Sequence, residues 1–195
     1  MIPCLPVPEP PDFDEKARQP GNAWLASHPN AQRPRDYWSP FRCLLAEGFK
    51  CLCGYSAMWI PDGTVDHFLS WQNYKHLAYE WDNYRYIAGW INSSKKTLDD
   101  QVLDPLEVEE NWFEIILPSL QLVLTDAVPP DVRAKAEFTL NQLHLGDDER
   151  VIRQRQAWYS LYLEDKLTLD GLEERAPLIA WAVRKQQNST SDRSD

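Results

Sequence analysis

The order of apolar and polar positions divides the chain into a polar head, an aromatic middle and a helical rear. Residues 1–32 are rich in proline and polar side chains and show no apolar period, with LPVPEPPDFDEKARQPG spanning 5–21. Proline fixes φ and lacks an amide donor, so an extended, Pro-rich arm over residues 1–35 is expected. Beyond Asp36, Tyr37 and Trp38, the apolar spacing over 41–49 predicts a short helix. Two apolar or β-branched runs follow at 56–60 and 64–68, around the turn Pro61-Asp62-Gly63, and predict a lead-in strand and a second strand. The stretch 70–82, crowded with Trp71, Tyr74, His76, Tyr79 and Trp81, reads as a long loop.

The rear of the chain is more regular. Residues 112–117 and 120–125 predict a hairpin around Pro118-Ser119. Pro129-Pro130-Asp131 opens a helix whose stripe is Val132, Ala136, Leu140 and Leu143 and whose stop is Gly146. Asp147-Asp148-Glu149 is an acidic entry to a second helix reaching about residue 167, and a third is expected over 172–185. The tail 186–195 is expected to be disordered. These elements make an α+β chain.

Composition adds three limits. At 195 residues the chain can bury one good core but not two large domains. Nine Trp and eight Tyr mean that aromatic packing carries much of that core. A mean hydropathy of -0.54 and the lack of an apolar run near twenty residues argue against a membrane span. The start, MIPCLPVPEPPDFDE, has no basic stretch followed by an apolar one, so no secretion signal is expected. Cys4, Cys43, Cys51 and Cys53 then read as reduced thiols of a cytoplasmic protein.

The candidate chemistry lies between Asp62 and Lys96. Asp66-His67 stands at the end of the second β-branched run, and Asn83 and Asn92 follow, the latter before Ser93-Ser94-Lys95-Lys96. An acid, an imidazole and two amides can bring a hard-metal ligand, a general base and an orienting group into one site. Such a site suits phosphodiester hydrolysis. Taken singly each residue has a plainer use: Asn83 as a turn residue, Asn92 as a helix N-cap, Lys95 and Lys96 as solvated charge.

The ordered series resembles the HNH (ββα-metal) nuclease superfamily, in particular bacterial HNH proteins of phage-defence type. The residues that carry the likeness are Asp62-Gly63, residues 65–68 with Asp66-His67, Leu77 to Trp81, Asn83-Tyr84-Arg85, Asn92, Lys95, Leu103-Asp104-Pro105, Glu107-Val108 and Trp112-Phe113. With the run LNQLHLGDDERVIRQR it covers roughly residues 51–155. The resemblance implies a ββα-metal nuclease core with an added hairpin over 36–125, with residues 84–88 paired to the Asp66-His67 strand and a helix starting between residues 89 and 92. A helical C-terminal region over 126–185 follows it.

It also implies roles. Asp66 and Asn92 would hold Mg²⁺ or Mn²⁺, and His67, which alternation turns to the other side of the strand, would be the general base. Asn83 would aim the imidazole, and Lys95 and Arg85 would meet substrate phosphate. An unperturbed His67 would make the rate rise with pH through about 6.5. The resembling proteins carry a structural zinc, but Ala88 and Ile91 stand where its second cysteine pair would be, so Cys51 and Cys53 cannot close a tetrahedral site and no structural zinc is expected.

The net charge of -10 opposes binding to a phosphate backbone. Lys95, Lys96, Arg85, Arg150, Arg153 and Arg155 are the cations expected to offset it. The substrate expected is nucleic acid, DNA ahead of RNA, gripped with help from a protein partner such as an ATPase, or from a second copy, docked on the loop from Trp71 to Trp81. A binding or scaffold protein on a degenerate HNH fold is the alternative.

Overall fold

The computed structural model describes residues 1–191 and is an α+β fold of short helices and two small antiparallel sheets. β1 (Thr64–His67) pairs with β2 (Tyr84–Ile87), placing Asp66 opposite Arg85 and His67 opposite Tyr84. Directly after β2 comes α3 (Gly89–Lys95), which packs back on β1. A helix of seven residues is too short to persist alone, so its stability comes from that contact. Ile91 and Lys95, four apart, share its inward face, and Lys96 at φ 48 ends it.

Residues 14–27 are helical, contrary to the extended arm expected over 1–35. A π-helical turn, Asp14–Arg18, runs into α1 (Gln19–Ser27), with Pro20 at the junction of the two. Phe13, Ala17 and Gly21 form the buried edge of this segment. Phe13 packs edge-on against Phe41, Trp81 and Tyr84 at centroid distances of 5.0, 5.1 and 5.8 Å. A fully buried Phe contributes about 2–3 kcal/mol, enough to hold a proline-rich strap in place. At Gly21 a Cβ would lie 2.5 Å from the Tyr79 ring, so only glycine lets α1 approach so closely.

Residues 41–49 hold α2 (Arg42–Gly48), preceded by a 3-10 turn, Ser39–Phe41. The lead-in strand expected over 56–60 is reduced to one bridge, Leu52 to Trp59. Its residues are tied elsewhere: Trp59 donates its amide to Arg175 and accepts from the Gln154 side chain.

The hairpin forms as β3 (Phe113–Ile116) and β4 (Gln121–Leu124). It packs on α7 (Pro177–Ser191) and α4 (Pro130–Gln142), so the C-terminal helices share its core. α5 (Glu149–Leu163) begins with the Asp148 side chain accepting from the Arg150 amide. The single helix expected over 172–185 is two, α6 (Leu169–Arg175) and α7, because Pro177 cannot continue the first. Helix also covers 186–191, where disorder was expected; 192–195 lie outside the described residues. No helix is long and apolar enough to cross a membrane among the described residues.

Candidate active site

β1, the loop after it and α3 enclose a pocket of about 270 Å³ bordered by Asp66, His67, Ser70 and Asn92. Strand alternation would separate Asp66 from His67, yet both border it. His67 is the last residue of β1, and a pocket at a strand's end is reached from either side.

His67 is almost buried, its ring edge-on to Trp38 at 4.6 Å and to Tyr84 at 5.0 Å. Its Nε2 lies 2.8 Å from the carbonyl oxygen of Ala78. A carbonyl can only accept, so Nε2 carries the hydrogen and Nδ1 keeps its lone pair, with no hydrogen-bond partner among the described residues. Burial lowers the imidazole pKa to about 4, opposed by the Ala78 hydrogen bond and assisted by Lys95. The ring is therefore neutral over the physiological range, not half-titrated near 6.5 as an unperturbed imidazole would be.

Asn83 acts on the loop beyond His67. Its Oδ1 accepts from the Leu69 amide at 2.8 Å, and its Nδ2 donates to Leu69 and Leu77 carbonyls at 2.9 and 3.2 Å. The backbone carbonyl of Asn83 also accepts from Phe68. The residues on either side of the loop, and with them Ala78 under the imidazole, are thereby fixed.

Asp66 is 2 % exposed. Its Oδ1 meets Lys95 Nζ at 3.3 Å, while Oδ2 is buried without a partner. Burial pushes this carboxyl up, and Lys95 pulls it back. The Ser70 hydroxyl is a second buried polar atom without a partner. Asn92 donates through Nδ2 to Thr64 Oγ1 at 3.2 Å, which leaves its Oδ1 free of hydrogen bonds.

These are all oxygen donors, the set a hard divalent cation takes, and two of them are orphaned without one. Among the described residues no three His, Cys, Asp or Glu side chains gather as a metal group. A cation here would thus draw most of its shell from water and substrate, as Mg²⁺ commonly does.

Lys95 and Arg85, expected on substrate phosphate, are turned inward. Lys95 is 0 % exposed and also donates to the carbonyls of His67 and Phe68 at 3.1 and 2.8 Å. Arg85 makes a bidentate pair with Asp104, Nε to Oδ1 at 2.6 Å and Nη2 to Oδ2 at 2.5 Å. Both cations serve buried carboxylates because an ion buried in a protein interior needs an opposite charge.

The expected DNA-facing arginines are engaged as well. Arg150 lies on Asp148 and Arg153 on Glu149, while buried Arg155 holds the carbonyls of Leu120, Leu145 and Gly146. In the aromatic loop Tyr79 and Trp81 are core residues, whereas Trp71 and Tyr74 are half-buried and His76 is exposed.

Several residues at the site carry no local signal in the sequence. Trp38 comes from the segment before the first 3-10 turn, and Ser70 is an ordinary loop serine. Cys53, whose thiol is buried, accepts through sulfur from the Ser56 and Ala88 amides at 3.5 and 3.3 Å. Compared with models of known families, with curated proteins and with solved structures, the chain finds no match.

Proposed function

We propose that this chain is a metal-dependent phosphodiester hydrolase acting on nucleic acid, DNA ahead of RNA, built on the HNH plan. The observation that carries the reading is that Asp66, whose buried Oδ2 has no partner, borders the same pocket as a neutral, fixed imidazole. Asp66 and Asn92 would hold Mg²⁺ or Mn²⁺, with the Ser70 hydroxyl beside them. When bound, such an ion supplies charge for the phosphoryl and leaving oxygens.

The protein's own groups do the rest. His67 takes a proton from the attacking water at Nδ1, because Nε2 is already committed to Ala78. The same carbonyl accepts from Tyr84 Oη at 2.8 Å, so imidazole and strand share one anchor. Lys95 holds the end of β1 through the carbonyls of His67 and Phe68 and offsets part of the burial that disfavours a charged Asp66. Asn83 prevents the loop from carrying Ala78 away from the ring.

The second reading is a binding or scaffold protein on the same fold, favoured by the burial of both cations expected on substrate phosphate, Lys95 and Arg85. Supercoiled plasmid incubated with Mg²⁺, Mn²⁺ or a chelator separates the two. A nuclease nicks the plasmid with metal and stops with chelator, and the His67→Gln variant nicks it far more slowly. A chain indifferent to metal, at several protein concentrations and on single-stranded DNA and RNA as well, is not a nuclease.

A further inference from the structure

In this acidic chain most Lys and Arg side chains rest on a carboxylate, a carbonyl or an aromatic ring. Arg33 and Lys96 do not: among the described residues neither has an ion pair, a side-chain hydrogen bond or a ring beneath it. Both are exposed and both border the pocket of Asp66 and His67. At a net charge of -10, two cations without counter-ions share one pocket mouth, whereas Lys50 and Lys135, also without partners among the described residues, do not border it.

Their backbones are held although their side chains are free. The strap carrying Arg33 is tied down on both sides, by Lys75 Nζ donating to the Pro29 carbonyl at 2.7 Å and by Tyr79 Oη donating to the Arg35 carbonyl at 2.7 Å. Lys96 caps α3, and its amide donates to the carbonyl of Asn92 at 3.0 Å, so it is fixed relative to a pocket residue. Arg33 is close enough for its charge to act on the His67 ring. Little backbone entropy would be lost when either side chain meets an anion, and only the side-chain rotamers remain to be ordered. A guanidinium can bind a phosphate through two parallel hydrogen bonds, and an ammonium acts as a point charge.

Resting on the nuclease reading for the role of the pocket floor, we propose that Arg33 and Lys96 grip the phosphates flanking the one held there. The substrate is then a polyanionic chain of consecutive phosphodiesters, and the N-terminal strap is part of the substrate site. The pair replaces Lys95 and Arg85 as the phosphate contacts.

A fluorescein-labelled thymidine 12-mer is titrated with the His67→Gln protein in Mn²⁺, across a salt series, by anisotropy. Arg33→Gln and Lys96→Gln, made in that background, should each raise Kd roughly tenfold. Each should also make the slope of log K against log salt shallower by about 0.7. Lys50→Gln removes another exposed, unpaired cation away from the pocket and should change neither quantity. Kd and slope unaltered by the two rim substitutions, or altered as much by Lys50→Gln, overturn the assignment, as does a parent protein that does not bind the 12-mer. Failure of the nuclease reading looks different: the wild-type chain binds the 12-mer with this dependence on Arg33 and Lys96 but never cuts it in Mg²⁺ or Mn²⁺.

Discussion

Two carboxylates, Asp66 and Asp104, are buried beside the same strand pair, each against a cation. Asp104 receives Arg85 through two short parallel hydrogen bonds, and its Oδ1 also accepts from the Leu106 amide at 3.0 Å. Asp66 receives Lys95 through one longer contact of 3.3 Å, and its second oxygen has no partner. Since Asp66 and Arg85 are direct cross-strand partners, the two pairs occupy closely similar surroundings. What separates them is completeness. The Asp104 pair is closed and can only hold the fold together, whereas the Asp66 pair is left half open at a pocket bordered by a neutral base.

If the open pair is the working one, the largest effect belongs to its neighbour His67. His67→Gln should lower the rate of plasmid nicking by about 10²–10⁴, the usual contribution of a positioned general base, with little change in melting temperature. A variant that nicks at the wild-type rate would remove His67 from the chemistry.

Next in size is the contrast in stability. Asp104→Asn leaves the Arg85 fork uncompensated in the interior and should cost about 3–5 kcal/mol by urea denaturation. Asp66→Asn leaves Lys95 with two backbone carbonyls and an amide oxygen that can still accept, so about 1 kcal/mol is expected. Equal losses would mean that the two pairs do the same structural work.

Acid should weaken the fold through His67. Its pKa is about 4 in the folded chain against 6.5 for the free group, so between these values the unfolded chain binds a proton that the folded one does not. Stability therefore falls as pH falls from about 6.5 to about 4, by up to about 3 kcal/mol. Asp66, whose carboxyl is raised by burial, works in the opposite sense, gaining stability as it protonates. His67→Gln should remove the destabilising slope and leave the Asp66 contribution; the same acid slope in the variant would place its origin elsewhere. Activity of the wild type should have its acid limb near 4, not 6.5.

The smallest effect is at Ser70. Ser70→Ala deletes a buried hydroxyl with no partner and should leave stability unchanged or raised by less than about 1 kcal/mol. Mn²⁺ affinity should drop a few-fold in the same variant, and a large loss of stability instead would show that the hydroxyl is satisfied in solution.

The sequence shows the frame of the site better than its polarity. β1, β2, α3 and the hairpin lie where residue pattern and resemblance put them, because short-range spacing governs strands, turns and a following helix. The N-terminal helix was hidden because its buried stripe is Phe13, Ala17 and Gly21, one large residue and two small ones, among prolines and charges. The Tyr79 ring over Gly21 and the rings of Phe41, Trp81 and Tyr84 around Phe13 make that stripe a packing surface.

Which way Lys95 and Arg85 face could not be read either. Their partners Asp66 and Asp104 lie 29 and 19 positions away, and a cation on a short element looks the same in sequence whether it meets water or a buried acid. Arg33 reaches the pocket from a segment with no motif at all.

The half-open state of Asp66 is tested most directly by metal binding without turnover. Mn²⁺ titrated into the wild-type chain and into Asp66→Asn, and followed by electron paramagnetic resonance, should show one bound ion per wild-type chain that is lost in the variant. Asn92→Ala should weaken the same site. Mn²⁺ held equally well by wild type and Asp66→Asn, or not held by the wild type, would contradict the assignment of this pocket as a cation site.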